Sequence, residues 1–429
     1  MDRFIIEGGH RLSGSIRPAG NKNAALPLLA ATLLSAEPVT LRNMPEIGDV
    51  VTKRAILGGL GVQITPVGDH AWQFHTPELK VDDPDAQLAR RIRTSILLAG
   101  PLLARRGHVR LPRPGGDAIG RRRLDTHFHA LRALGTNVEI TPTEYVLTTH
   151  GLHGSDIFLD EMSVTGTEQA ILAAVCARGS TTIANAASEP HIQDLCNCLN
   201  AMGGRISGIG TNFLTINGVE TLHGADFEIG PDYMEVGSFI GLAAGTRSEI
   251  SITGARPREH RMTKIAFGRL GVHWRDDGDD IVVPGNQELR VQEDAHNAIP
   301  KIESMPWPGF PADLLSIAIV VATQSNGTVL IHEKLFESRL FFVDRLISMG
   351  AKIVLCDPHR AVVVGASRLF GEPDGMPSPD IRAGMALLIA SLCARGKSVI
   401  HNIAQIDRGY EAIEQRLQML GARIERTRG

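Results

Sequence analysis

The 429-residue chain has no charge excess of either sign: 44 Lys and Arg stand against 47 Asp and Glu, a formal net charge of −3. That balance argues against the broad electrostatic footprint of a nucleic-acid or membrane-surface binder. No apolar stretch approaches the roughly 20 residues that a membrane-spanning helix needs, and the opening MDRFIIEGGHR has no apolar signal-peptide core. Cysteine is scarce. The five, Cys176, Cys196, Cys198, Cys356 and Cys393, are odd in number and lie in or beside apolar helical text. Buried, reduced thiols in a cytoplasmic protein fit this better than a disulfide framework. Cys196-x-Cys198 with His191 nearby is not followed by a second ligand pair, so no metal site is expected.

What the chain does have is a 43% hydrophobic composition, enough for a sizeable core, and a repeat. Six apolar helix-like runs each open on a charged or small polar group. They are GNKNAALPLLAATLL (from Gly20), RIRTSILLAGPLLA (Arg91), SVTGTEQAILAAVCA (Ser163), PDYMEVGSFIGLAAG (Pro231), FPADLLSIAIVVA (Phe310) and PDIRAGMALLIASLCA (Pro379). A short strand text follows each, at Val39–Leu41, Val109–Leu111, Thr181–Ile183, Ile250–Ile252, Val329–Ile331 and Ser398–Ile400. A Leu-Gly or Met-Gly pair comes next, ending at Gly61, Gly135, Gly203, Gly271, Gly350 and Gly421, with spacings of 74, 68, 68, 79 and 71 residues. Such a period is too long for a solenoid unit and reads as a duplicated supersecondary module. The runs are apolar nearly all round, which places them inside each lobe. The reading is an α/β protein with sheets outside and helices within.

Each Leu-Gly leads into hairpin text that closes on a Leu-x-Gly pattern, as at Leu152–Gly154, Leu222–Gly224 and Leu369–Gly371. The sixth module stops at Gly429 without this piece, and Phe4-Ile5-Ile6 with Leu12-Ser-Gly14 supplies it at the other end. The N-terminal hairpin is therefore expected to complete the last module. One lobe is then discontinuous, 1–21 plus 232–429, and 22–231 forms the other. Two crossings near residues 21 and 231 make a hinge arrangement.

The helix openings carry the chemistry. A Lys in a first helical turn opposes the dipole, so Lys22 needs a reason. A solvated surface Lys is one, but Gly20 allows close backbone approach and the text after Pro27 reads as buried. Arg93, Arg382 and the Arg408-Gly-Tyr turn repeat the pattern. Asp313 and Asp380 also sit in first turns, where each taken alone reads as a cap. Four cations at helix ends point to a small, highly charged ligand, a phosphate plus a carboxylate. The segment LPRPGGDAIGRRRLDTH (Leu111–His127) reads as a mobile cationic lid over 111–123. Its one carboxylate before the arginines, Asp117, reads by spacing alone as a turn residue.

These residues resemble a family. NKNAALP, R-T-S at 93–95, LPxxGGDAIGxR, S-V at 163–164, E-P at 189–190, FPAD at 310–313, DIRA at 380–383 and IDRGYE at 406–411 are together similar to the UDP-N-acetylglucosamine 1-carboxyvinyltransferases. These are the enolpyruvyl transferases that open bacterial peptidoglycan synthesis, and the resemblance runs from Phe4 to about Arg426. It implies two inside-out α/β barrel lobes of three βαβαββ units each, the enolpyruvyl transferase fold. It also implies a reaction in which the sugar O3 adds to C2 of phosphoenolpyruvate, C3 is protonated, and the tetrahedral ketal loses phosphate. No metal or organic cofactor is implied, and no obligate protein partner.

Carried over by position, the resemblance places phosphoenolpyruvate on Lys22, Asn23, Arg122, Arg382 and Arg408. It places the UDP-sugar on Arg93, Arg122, Arg123, Leu124, Asp125, Thr126, Ser163, Val164 and Leu335. Asp313 would lie beside the sugar 3′-hydroxyl and Asp117 would be the proton donor of the lid, where most members carry Cys. Lys22 and Arg408 complete the catalytic set. The chain departs from the family in three further places. Arg113-Pro114 lengthens the lid, Arg123 replaces a Pro, and Glu161 replaces a Lys of the UDP-binding stretch. A Glu beside a diphosphate is repulsive unless an extra Arg of 121–123 offsets it. Alternatives are therefore an enolpyruvyl transferase with another nucleotide or nucleotide-sugar acceptor, or a ligand-binding paralogue without catalysis.

Overall fold

A computed structural model of the protein describes residues 2–116, 120 and 123–428. Two compact units form within the chain. Among the described residues, one takes 2–19, Gly120 and 231–428, and the other takes 20–116 and 123–230.

In the unit 20–230 the central elements are the helices Lys22–Ala31, Ala99–Arg106 and Val164–Ala174. In the other unit they are Tyr233–Gly245, Ala312–Gln324 and Ile381–Cys393. All 13 residues of Tyr233–Gly245 are buried, and so is nearly all of Ile381–Cys393. An apolar helix with no wet face has to sit inside its unit, because any exposed stripe would leave large apolar area in water. Close approach supports this: a Cβ on Gly241 would lie 2.3 Å from Ile317 Cγ2 of the neighbouring helix. The second opening differs from the expected pattern. Arg93–Leu98 is a 3-10 helix, and the α-helix begins only at Ala99.

Sheets cover each helical centre. The strand expected after each opening forms: Val39–Arg42, His108–Pro112, Ser180–Ala184, Glu249–Ile252, Gly327–His332 and Gly396–His401. Five of them lie inside four-stranded sheets, and His108–Pro112 is an edge strand of a three-stranded sheet centred on Glu144–Thr148. In the four-stranded sheets the central strand pairs antiparallel on one side and parallel on the other. Gly327–His332, for example, runs antiparallel to Arg360–Gly365 and parallel to Lys301–Glu303. The Leu-Gly and Met-Gly pairs follow the outer helices, and Gly61, Gly135, Gly203, Gly271, Gly350 and Gly421 have φ between 84° and 101°, the left-handed region that favours glycine after a helix.

The N-terminal segment does complete the last module, though only in part. Arg3–Gly8 inserts between Gly396–His401 and Arg423–Thr427, with Phe4 opposite Ile400 and Arg426. Ser13–Ile16 goes elsewhere, pairing parallel with Glu249–Ile252 of the fourth module. Period-2 burial in Arg3–Gly8 puts Phe4 and Ile6 into the core. Among the described residues, no helix is long and apolar enough to cross a membrane.

Candidate functional site

In the unit 20–230, Asn21 caps the first central helix, its Oδ1 accepting from Asn23 N (2.8 Å) and Ala24 N (3.2 Å). Gly20 is needed beside it, since a Cβ there would lie 1.7 Å from Asn43 O. Lys22 is 7% exposed, with Nζ 2.9 Å from Asp49 Oδ2. The solvated-surface alternative for Lys22 therefore fails: the ammonium is buried and paired at a helix N-terminus. Asp49 opens the outer helix Gly48–Gly59, and the sequence reading missed it. A carboxylate in a first turn is so ordinary that the text alone carried no signal.

One turn after Asp49 the same helix buries Lys53 completely, and its Nζ donates to Thr94 O at 2.7 Å. The helix Gly48–Gly59 thus ties the start of the Lys22 helix to the Arg93 turn. Burial brings the Lys53 ammonium from 10.5 down to about 7, only partly opposed by Glu168. Burial, with Glu189 close by, pushes Glu168 well above the carboxylate range. Both partners lean toward their neutral forms.

A depressed folded-state value means that the Lys53 contribution to stability is complete above about 10.5. It is lost as pH falls toward 7 and is constant below that. Relative to a Lys53→Met variant, wild-type unfolding free energy should fall by about 1.4 kcal/mol per pH unit through that window. Urea unfolding at pH 7, 8 and 9 reads this, and a pH-independent difference would refute it.

The Arg93 end gathers most of the remaining expected residues of this unit. Arg93 Nη2 donates to Arg123 O at 2.9 Å. Arg123 Nε donates to Asp125 Oδ2 at 2.9 Å, and its Nη2 lies 3.8 Å from Asp160 Oδ2. Thr126 Oγ1 donates to Asp160 Oδ1 at 2.8 Å, and Leu124 is buried just before the helix Asp125–Ala133. Ser163 is the N-cap of the third central helix, accepting from Gly166 N at 3.2 Å, and Val164 is its first residue. Arg123 thus faces the carboxylates of Asp125 and Asp160 as well as the field of Glu161. Asp117 and Arg122 lie outside the described residues.

In the other unit, Asp313 does not cap its helix, whose N-cap is Pro311. Its Oδ1 accepts from Arg339 Nη2 (2.8 Å) and its Oδ2 from Arg382 Nε (3.0 Å). Both arginines are 5% exposed, whereas the Asp313 side chain is 30% exposed. Two buried guanidinium groups therefore present one accessible carboxylate. Asp380 does cap, accepting from Arg382 N (2.8 Å) and Ala383 N (2.9 Å). The Arg382 guanidinium lies 5.4 Å from the ring centroid of buried Tyr410, whose hydroxyl meets Ser238 Oγ at 2.9 Å. Burial pushes the Tyr410 phenol up. Arg408, two residues before it, donates to Gln405 Oε1 at 2.8 Å.

Leu335 is 42% exposed, and its N donates to Glu333 Oε1 at 2.8 Å. Arg339 and Glu333 were not singled out from the sequence, and they follow Leu335 and precede it within a few residues. The four expected cations divide evenly: Lys22 and Arg93 belong to one unit, Arg382 and Arg408 to the other.

The chain is similar to known proteins over its whole length. The family model for EPSP synthase (3-phosphoshikimate 1-carboxyvinyltransferase) matches residues 6–417. The UDP-N-acetylglucosamine 1-carboxyvinyltransferase of Treponema denticola is 54% identical over 425 residues, 99% of each chain. That of Bradyrhizobium diazoefficiens is 55% identical over 425 residues, 99% of this chain and 98% of the relative. Among solved structures, the enolpyruvyl transferase NikO from Streptomyces tendae superposes with a TM-score of 0.89 at 23% identity, covering 99% of both chains. An EPSP synthase from Acinetobacter baumannii gives 0.75 at 18% identity over 100% of both chains. At those identities the two structures establish the fold and nothing finer. Full-length identity above one half to the curated relatives, on this fold, means that the chain belongs to the UDP-N-acetylglucosamine 1-carboxyvinyltransferase family of enolpyruvyl transferases.

Proposed function

We propose that the protein transfers the enolpyruvyl group of phosphoenolpyruvate to the 3′-hydroxyl of UDP-N-acetylglucosamine and releases phosphate, the first committed step of peptidoglycan precursor synthesis. The observation that carries this is Asp313, an accessible carboxylate aimed by two buried arginines at a central helix start, in a chain whose relatives bear this name. A carboxylate so placed accepts a hydrogen bond from a sugar hydroxyl and orients its oxygen toward C2 of phosphoenolpyruvate. The C3 proton comes from the lid acid, Asp117. The hydroxyl proton passes to Asp313 as the O3–C2 bond forms. The C2–O bond to phosphate then breaks and its electron pair leaves with the phosphate, while C3 gives up a proton and that C–H pair re-forms the C2=C3 double bond.

Lys22, Arg122, Arg382 and Arg408 supply the positive charge for phosphate and carboxylate. Asn23, at the capped start of the Lys22 helix, adds a polar group there. Arg93, Arg123, Leu124, Asp125, Thr126, Ser163, Val164 and Leu335 hold the nucleotide sugar. No metal or organic cofactor enters this chemistry, and the cytoplasm supplies both substrates. With an acid other than Cys in the lid, the enzyme should also resist fosfomycin.

The acidic group of Asp125, Asp160 and Glu161 around Arg123 bears on which acceptor is used. Phosphate release from phosphoenolpyruvate should therefore be measured with UDP-N-acetylglucosamine, UDP-glucose, UMP and shikimate 3-phosphate. Release is expected with UDP-N-acetylglucosamine. Turnover with another acceptor and none with it would replace the proposed substrate, and no turnover with any would favour a silent paralogue.

A further inference from the structure

The carboxyl of Glu333 is fully buried just past the strand Gly327–His332, and the chemistry above makes no use of it. Burying such a group costs several kcal/mol unless hydrogen bonds compensate, so its partners indicate what it does. Oε1 accepts from Ser304 Oγ (2.7 Å), Leu335 N (2.8 Å) and Phe336 N (3.3 Å). Ser304 Oγ in turn accepts from Lys334 N at 2.8 Å. Two buried side chains thus hold three successive amides, those of 334–336. The other oxygen, Oε2, faces Arg339 Nε at 3.8 Å, and Arg339 Nη2 is the donor to Asp313. The Arg339 guanidinium also lies 5.1 Å from the centroid of the Phe336 ring.

We infer that Glu333 is a positioning residue for the transfer reaction, fixing the Leu335 segment through its amides and Asp313 through Arg339. The inference rests on the reaction proposed above. Its physical basis is that one buried carboxyl joins the backbone of an exposed segment to the guanidinium that aims Asp313. Arg339 lies between the carboxyls of Glu333 and Asp313, while Arg382 feels Asp232 as well as Asp313. Without the Glu333 oxygen that faces its Nε, Arg339 shifts toward Asp313 and aims it differently. An amide at 333 keeps an oxygen for Ser304 and for the Leu335 and Phe336 amides, and it replaces the Oε2 that faces Arg339 with an uncharged NH2 donor. The two halves of the role are therefore separable.

Glu333→Gln is expected to fold normally and to keep KM for UDP-N-acetylglucosamine within about 2-fold, while kcat falls about 10-fold. Glu333→Ala is expected to lose both halves, with higher KM, lower kcat and faster amide hydrogen exchange in a peptide spanning 333–336. In a cycle with Arg339→Lys, the kcat effect of Glu333→Gln should shrink, because both changes act on one path to Asp313. Unchanged kcat in Glu333→Gln overturns the inference, as does full additivity with Arg339→Lys. Equal losses in KM and kcat for Glu333→Gln would reduce Glu333 to a structural role. The exchange measurement needs no substrate, so unchanged exchange in Glu333→Ala overturns the inference even if the wild-type protein uses none of the acceptors. Wild-type inactivity with every acceptor would instead count against the proposed reaction. Should a different acceptor prove active, the kcat comparison is made with that one.

Discussion

Replacing Lys22 by alanine should lower turnover about 100-fold or more. The ammonium sits in the first turn of a buried helix, where the dipole opposes it, and it is held there by Asp49 at 2.9 Å. In the proposed reaction this buried cation, already paired with Asp49, serves to meet the phosphate of phosphoenolpyruvate. The helix N–H groups and the ammonium attract the same phosphate. As the C–O bond to phosphate breaks, negative charge moves onto the departing group. Losing one preorganised stabiliser of such charge typically costs 10²–10³ in kcat. Stability moves as well, because Asp49 is left buried without its cation, at roughly 3–5 kcal/mol. Kinetics must therefore be compared on protein shown to be folded by circular dichroism, with melting measured beside turnover. Near-normal kinetics in a destabilised Lys22→Ala would leave the Lys22–Asp49 pair a structural role only. Neutralising Arg122 or Arg408 should have an effect of the same order.

Asp117→Ala should abolish most activity, and Asp117→Cys should retain turnover and gain sensitivity to fosfomycin. Protonating a vinyl carbon is difficult, so the donor must be an acid at the moment of reaction. A free aspartic acid titrates near 3.9 and is almost wholly ionised at neutral pH. Water exclusion favours its neutral form, and nearby arginines favour its charged form. Whatever the balance, activity that depends on protonated Asp117 falls as pH rises through its working value, at lower pH than for a thiol. Fosfomycin is an epoxide that alkylates the Cys of other family members, and a carboxylate is a far weaker nucleophile than a thiolate. The measurements are a pH–rate profile and mass spectrometry of drug-treated protein. An active Asp117→Ala, or covalent modification of the native lid by fosfomycin, would falsify the assignment.

Much of the fold was legible because it rests on local signals. The apolar runs, the strand texts and the six glycines with positive φ are each properties of a few neighbouring residues. The misplaced details share a cause as well. RTSILL reads as a helix by pattern and winds as a 3-10 turn, with Lys53 holding the Thr94 carbonyl there. Ser13–Ile16 was read as part of one hairpin with Phe4, but it pairs with a strand 236 positions away by register. Pattern shows that a strand exists; its neighbour in the sheet depends on where distant chain arrives.

The same division runs through the site. Sequence by itself determined the six modules, the polar openings of their buried helices and the cations placed there, because periodicity records which residues face water. Tertiary structure alone decided what those groups do to one another. Asp313 reads as a cap until helix packing brings Arg339, 26 positions away, and Arg382, 69 positions away, to its two oxygens. Lys22 reads as either exposed or buried until Asp49 is seen beside it. Glu333 has no signature at all, since a glutamate after a strand is ordinary until its burial against Ser304 and Arg339 is known. Hydrophobic pattern fixes the burial of an element, whereas the meeting of two charged side chains depends on how each helix is rotated and how closely it approaches its neighbour. Those two quantities are set by the packing of the whole unit.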